Sequence, residues 1–396
     1  MVPPASARTA ALGPRRAAPL RYRLRVERFD VIVIGGGAMG TAAARELACR
    51  GRATLVLERF TPGHSNGSSG GPTRIFRYAY HRLDYVRLVI AAREAWHELE
   101  AAAGEQLLRV TGGIDVGPQA LERADLLEET GVPVERLLGA DARGRWPSLR
   151  LPAEADVVFQ PQGGVVRAAP TVIAQARLAA DAGATVRSEI TVTDLVGRGN
   201  GVEVRTEHGE TFGAPVAIVA AGAWAGPLLA RAGIEVSLRA NLEQSTYFML
   251  EDPGAALPTV IDWLEHAQKP PYLVPDPWEA GSFKVGLHRA GPPTDADTRT
   301  FDPDPARVSR AIDYVTSHVP AARATERTDT CLYTITPDED FVLDRIGPIV
   351  VASPCSGHGF KFVPLFGRAL ADLAMGAEPA FDRTAFRIDR PALAGG

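Results

Sequence analysis

The chain has 396 residues, 45% of them hydrophobic and 23% charged, with a net charge of −4. Such a length fits two domains, or one with a large insertion, in an ordinary globular composition. The mild negative charge leaves no electrostatic footprint for nucleic acid, and no run approaches the roughly 18 apolar residues of a membrane span. Three scattered cysteines (Cys49, Cys331, Cys355) exclude a disulfide framework and fit a reducing cytoplasm. No H-E-x-x-H and no paired Cys/His spacing occurs, so no metal is expected.

Residues 1–28 hold seven Arg against one Glu. Arg15 and Arg16 form a twin arginine without an apolar stretch after it, so a secretory signal is not expected. The segment reads as a disordered basic tail. Order is expected from Phe29. The run FDVIVI, β-branched and continuously apolar, suits a buried parallel strand. It leads into GGGAMG, then an Ala-rich helical pattern closed by Gly51, then the strand ATLVLE ending at Glu58. Gly35, Gly37 and Gly40 stand in the G-x-G-x-x-G spacing, with Glu58 eighteen residues further on. This is the βαβ unit of a Rossmann-type nucleotide fold. The first glycine permits the turn, the second lets the backbone approach a pyrophosphate, and the third lets helix pack on strand. The helix N-terminus aims free N–H groups at phosphate, and Glu58 can accept from ribose hydroxyls.

After Glu58 comes the polar, glycine-rich segment RFTPGHSNGSSGGPTRIFRYAY. A wrapping loop of this kind suits a cofactor with a large second half, such as a flavin. Residues 84–103 predict a helix, VTGGIDVG a strand, and 170–183 a helix. Residues 192–213 read as a β-meander with Gly turns, and APVAIVAAGAWA as a strand whose small residues admit close backbone approach. Residues 236–300 are strand-like with proline breaks, 303–318 helical, and FKFVPLFGRALADLAMG a closing helix. The expected class is therefore α/β and α+β: a Rossmann-type FAD-binding domain (29–82, 155–225 and 325–396) with a discontinuous substrate domain on a mixed β-sheet (83–154 and 226–324).

The segments GGGAMG, HSNGSSGGPTRIFRYAY, FKVGLH, TCLYTITPDEDFVLD and SGHGFKF, in that order, resemble the monomeric sarcosine oxidase and N-methyltryptophan oxidase family of FAD-dependent amine oxidases, with a D-amino-acid-oxidase-like fold. The resemblance covers about residues 29–392. The closing helix also resembles a member that oxidises a cyclic imino acid in peptidyl-nucleoside antibiotic assembly.

Several roles are implied by this resemblance. Arg77 and Lys361 would clamp the substrate carboxylate, and a buried carboxylate does require cationic donors. Lys284 would sit beside the flavin and favour superoxide formation electrostatically. Cys331 would carry FAD covalently through its 8α-methyl, with nearby basic groups expected to lower the thiol pKa. Arg74 would lie near the flavin ring, and Tyr272, His288 and Tyr333 would line the substrate face. Arg59, Ser68, Thr73, Gly357 and Gly359 join Gly35, Gly37, Gly40 and Glu58 as cofactor-binding positions, with His358 a further candidate at the flavin carbonyl edge. Only three lysines occur among 43 basic residues, which singles out Lys284 and Lys361; Lys269 matches no motif. Cys355 is expected in the core and Cys49 in a structural place on the first helix. One departure stands out: Gly70 occupies the position of a family histidine, which puts sarcosine itself in doubt as substrate.

The implied activity is oxidation of a secondary amino acid, N-methylated or cyclic, to an imine, with O₂ reduced to H₂O₂. The expected partners are that amino acid and O₂ alone, for a cytoplasmic monomer. A dehydrogenase passing electrons to another acceptor, and a non-enzymatic dinucleotide-binding module, remain alternatives at this point.

Overall fold

The computed structural model describes Met1 and residues 26–393; most of the basic N-terminal segment lies outside them. The nucleotide-type half is a six-stranded sheet in the order Thr185–Arg187, Thr54–Leu57, Val31–Ile34, Val216–Val219, Ile349–Ser353, Val342–Ile346. All neighbours are parallel except the last pair. Strands buried on both faces carry continuous apolar runs: VIVI, TLVL and VAIV are buried throughout. On one face helix Ala38–Cys49 packs against helices Ala168–Asp181 and Val363–Ala374. The approach is close because the contacts are small: a Cβ on Gly367 would stand 2.7 Å from that of Ala42.

The second half is an eight-stranded mixed sheet, in the order Ala322–Ile335, Arg239–Leu250, Ser282–Leu287, Pro271–Pro275, Thr259–Asp262, Gly113–Val116, Asp156–Gln160, Glu135–Leu138. Strands on both sides of the expected boundaries at 155 and 325 share this sheet. Helix Pro305–His318 covers it, started by the Asp304 carboxylate accepting from the Ala306 amide at 2.9 Å with Pro305 behind it, a favoured helix entry. The meander expected over 192–213 is present as three antiparallel strands.

Three details differ from the sequence expectation. The segment after Glu58 is not loop throughout: Thr73–Phe76 is a strand, antiparallel to Gly164–Arg167. Its four residues are too few to show alternation. Two helices, Gln119–Glu129 and Gly139–Arg145, lie in a stretch for which no element is expected from the sequence. The closing helix spans Val363–Ala374 and is preceded by a 3-10 turn at Phe360–Phe362.

The core of the nucleotide-type half includes an aromatic cluster. Phe341 is fully buried, and its ring centroid stands 5.4–5.6 Å from those of Tyr85, Phe362, Phe366 and Phe386. This packing sets Lys361 and His358 at the mouth of the closing helix. Truncating a buried Phe leaves a cavity costing about 3–5 kcal/mol. Phe341→Ala is expected to lose that much by urea denaturation, and a loss below about 1 kcal/mol would show that the cluster collapses to refill the space.

Candidate functional site

The glycine turn is shaped by contacts that only glycine tolerates. Gly35 has φ +103°, and a Cβ there would lie 2.5 Å from the Ala220 carbonyl; one on Gly40 would lie 1.8 Å from the Gly35 carbonyl. Gly37 has only the Ser69 hydroxyl within reach, at 3.3 Å, so its backbone stays open to a ligand. Glu58 accepts from the Gly36 amide and, at 2.7 Å, from the Phe60 amide. His64, which sequence reasoning did not single out, stands 3.4 Å from the same carboxylate. Burial acts to raise the Glu58 carboxyl, but His64 and the two amides outweigh it and hold it below its ordinary value. Arg59 stacks near Phe60 and Trp224 and pairs with Asp297, which also accepts from Trp224 Nε1 at 2.8 Å.

From this turn a cavity of about 640 Å³ runs into the second half. All the residues expected in the cofactor and substrate sites except Gly40 line it; Gly40 acts behind the turn through its contact with Gly35. The loop Ser68–Thr73 is braced from within. Arg74 donates to the carbonyls of Thr73 (2.8 Å), Ser68 (3.0 Å) and Gly70 (2.7 Å). Lys284, on Ser282–Leu287, donates to the Thr73 carbonyl at 2.8 Å. Burial first, then the Arg74 charge, lowers Lys284 to about 7.

Cys331 projects from Ala322–Ile335. Its thiol is pushed above its ordinary value, which corrects the expectation: Arg74 and Lys284 do favour the thiolate, but burial outweighs them. Tyr272, His288 and Tyr333 form one aromatic wall. All three line the cavity and are partly buried. Burial raises Tyr272 to about 12 and Tyr333 well above its ordinary value, and holds His288 neutral. Tyr272 exchanges a hydrogen bond with Ser245 at 3.1 Å. Gly357, with φ +79°, permits this wall: a Cβ there would stand 2.3 Å from the Tyr333 ring and 2.9 Å from that of His288. A Cβ on Gly359 would stand 1.8 Å from the Pro354 carbonyl.

Arg77 and Lys361 meet at the far end around Tyr80. The Arg77 guanidinium lies 4.7 Å from the Tyr80 ring centroid and 3.9 Å from Asp115. Lys361 Nζ donates to the Tyr80 hydroxyl at 2.9 Å and to the His358 carbonyl at 2.7 Å. Asp115, fully buried, accepts from Trp263 Nε1 (2.9 Å) and Gln160 Nε2 (2.8 Å), and Gln160 in turn accepts from the amides of Tyr78 and Ala79. Sequence reasoning missed Tyr80, Asp115 and Gln160 as site residues. For Tyr80 a signal existed, since it closes the motif TRIFRYAY.

Cys355 lines the cavity and its sulfur accepts from the Thr334 amide at 3.3 Å, rather than lying in the core. Cys49 is exposed at the end of its helix, so it fills no core space. Away from the cavity, ligand atoms of Asp262, Glu265 and His318 lie within 4.8 Å of one another, a grouping that motif spacing does not reveal. Asp262 already accepts from the Tyr314 hydroxyl and the Leu264 amide, and His318 Nδ1 is engaged by the Tyr314 carbonyl, so the group is satisfied internally.

The chain matches the family of FAD dependent oxidoreductases over residues 30–373. It is 32% identical to the monomeric sarcosine oxidase of Bacillus sp. (strain B-0618), covering 92% of this chain and 97% of that protein. It is 28% identical to the N-methyl-L-tryptophan oxidase of Salmonella heidelberg (strain SL476), over 92% of this chain and 99% of the other. Among solved structures, the open form of NikD, an unusual amino acid oxidase essential for nikkomycin biosynthesis, superposes with a TM-score of 0.84 at 30% identity, covering 92% of this chain and 98% of that one. The protein therefore belongs to the FAD-dependent oxidoreductase family that includes the sarcosine oxidases. Its cavity fits the cofactor: the turn at Gly37 is open to a pyrophosphate, and the buried hydroxyls of Ser68 and Ser353, both on the cavity wall, have no partner in the protein.

The departure at Gly70 has a steric cause. A Cβ there would stand 2.7 Å from the His64 carbonyl and 2.8 Å from Ser65 Cα, so a histidine requires another loop path. Gly70→Ala is expected to cost about 1–3 kcal/mol, as overpacking does, measured by chemical denaturation of the holoenzyme. An unchanged stability together with an unchanged flavin spectrum would show that the loop yields freely.

Proposed function

We propose that the protein oxidises a secondary amino acid, N-methylated or cyclic, to its imine, with O₂ as electron acceptor and H₂O₂ as product. The observation that carries this reading is the pair Arg77 and Lys361 on the wall of an aromatic cavity, where a guanidinium and a buried lysine nitrogen converge and Lys361 has only neutral partners. Such a site asks for a carboxylate. The names of the relatives, two amine oxidases and an amino acid oxidase, support the same class of substrate. Gly70 and the aromatic side chains of Trp263 and Tyr272 favour an amine other than sarcosine.

Gly35, Gly37 and Gly40 would hold the FAD pyrophosphate, Glu58 a ribose, and Ser68–Thr73 with Gly357 and Gly359 the ring. FAD, when bound, supplies the two-electron redox chemistry. The protein's share is position and field. Arg77 and Lys361 fix the carboxylate, while Tyr272, His288 and Tyr333 exclude water. The amine must be neutral to react, because an ammonium has no free lone pair. We take the enzyme to act as a monomer, as its relative from Bacillus is named. Among the described residues no helix is long and apolar enough to cross a membrane.

Cys331 is proposed as the covalent attachment point. Acid precipitation should leave the yellow colour in the pellet, and Cys331→Ser should move it to the supernatant; colour in the supernatant of the wild type excludes the bond. Removing one partner of a buried charged hydrogen-bonded pair costs about 2–5 kcal/mol, so Lys361→Gln is expected to weaken substrate binding about 30-fold or more. An unchanged Kd would sink the clamp and the reading built on it.

Lys284 is proposed to assist the reaction with O₂ through its charge. Its ammonium is present below about 7 and lost as pH rises through that value, the direction burial imposes on a lysine. The rate constant for reaction with O₂ should fall over the same interval. Lys284→Met should slow this half-reaction far more than the substrate-dependent one and abolish its pH dependence. Stopped-flow measurement of both halves decides the point, and equal slowing of the two excludes the role.

A further inference from the structure

The hydrogen bonds around Lys361 have a fixed direction. His358 Nε2 lies 3.2 Å from the Glu339 carbonyl oxygen, which can only accept, so Nε2 carries the proton. Burial holds the imidazole neutral, which leaves Nδ1 bare. It therefore accepts from the Tyr80 hydroxyl, 3.1 Å away. That donation uses the one proton of Tyr80, so the phenol oxygen must accept from Lys361. Lys361 thus spends one N–H on Tyr80 and another on the His358 carbonyl. One position on Nζ remains for the cavity that Lys361 lines. An ammonium has a third N–H there; an amine has a lone pair.

The surroundings favour the amine. Lys361 is 3% exposed, and both its partners are neutral oxygens. Its charged neighbour is another cation, Arg77, and burial and Arg77 act in the same direction on it. The other titratable groups around this end do not compensate. Tyr80 and His288 are neutral, held so by burial. Arg289 is paired with Glu339. Asp115 is engaged by Trp263 and Gln160 and stands beside Arg77.

Resting on the reading that Arg77 and Lys361 receive an amino-acid carboxylate, we propose that Lys361 is a neutral amine in the substrate-free enzyme and accepts the proton that the bound zwitterion's ammonium must give up. An N–H bond breaks at the substrate nitrogen and an N–H bond forms at Nζ. No electron leaves the substrate in this step, and no proton is exchanged with solvent. The same transfer creates the cation that holds the carboxylate and frees the lone pair that oxidation requires. Lys361 is then both clamp and base, and arginine cannot replace it, because a guanidinium stays protonated.

Two isosteric probes separate clamp from base. α-Aminoisobutyrate is a zwitterion with neither an α-hydrogen nor an N-methyl group, so it cannot be oxidised at either carbon; pivalate replaces its ammonium with a methyl group. Each is titrated calorimetrically into the holoenzyme at about pH 8.5, where a free ammonium is still charged, in buffers of different ionisation enthalpy. Pivalate is expected to draw about one proton from the buffer per site, because Lys361 must become charged, and α-aminoisobutyrate none, because its own ammonium supplies it. In Lys361→Arg, pivalate should take up none and α-aminoisobutyrate should release about one. Pivalate binding to the wild type without proton uptake overturns the proposal and leaves the clamp standing. Proton uptake with α-aminoisobutyrate, or uptake with pivalate that persists in Lys361→Arg, also overturns it. If neither probe gives heat or perturbs the flavin absorbance, the carboxylate clamp itself falls. Lys284 is also neutral at this pH, so if Lys361→Arg does not fold the control is repeated in Lys284→Met, where uptake with pivalate must persist; its loss there overturns the proposal.

Discussion

A buried lysine hydrogen-bonded to one carbonyl ties the large mixed sheet to the glycine-rich loop of the nucleotide-type half. Lys284 stands on the large mixed sheet, and Thr73 ends the glycine-rich loop that follows the nucleotide-type βαβ unit. Their 2.8 Å hydrogen bond crosses the cavity wall where the halves meet. The Arg74 guanidinium, donating to three carbonyls of the same loop, keeps that acceptor in place. Both cations are partnered by backbone oxygen rather than by acids, so their charge is left to act on whatever occupies the cavity. Deeper in the cavity stand Arg77, beside Asp115, and Lys361, on the Tyr80 hydroxyl and the His358 carbonyl. The guanidinium groups of Arg74 and Arg77 give the cavity a field that attracts electron-rich rings and carboxylates and opposes a bound ammonium.

The nucleotide half was legible in sequence because its constraints are local. Gly35, Gly37, Gly40 and Glu58 fall within one βαβ unit at a fixed spacing, even though Gly35 also answers to Ala220 and Gly37 to Ser69. The substrate end was legible only through motif resemblance. Lys361 meets Tyr80 across 281 positions, and Tyr80 meets His358 across 278; no periodicity carries such information. Asp115 and Gln160 were missed for the same reason. They are polar residues in short strands, and only the folded sheet shows that they are buried and joined to the segment bearing Arg77.

Cys331 shows a different limit. Its basic neighbours were anticipated, but the sign of the thiol's shift was not, because counting charges cannot weigh desolvation. Burial exceeds the help from Arg74 and Lys284 in the protein alone. Cys355 failed in the other direction: a small apolar-looking residue between a proline and a serine reads as filler, yet it lies on the cavity wall with its sulfur engaged by the Thr334 amide.

The wall built on Gly357 bears on any attempt to redesign this pocket. Tyr333 and His288 press on the space a side chain at 357 would fill, so variation at that position cannot narrow the cavity without displacing both rings. Widening must instead come from the rings themselves, and Tyr333 shares its strand with Cys331. On the roles proposed for Tyr333 and Cys331, substrate range and cofactor seating are mechanically linked through one strand, and a library that varies Tyr333 selects on both properties at once.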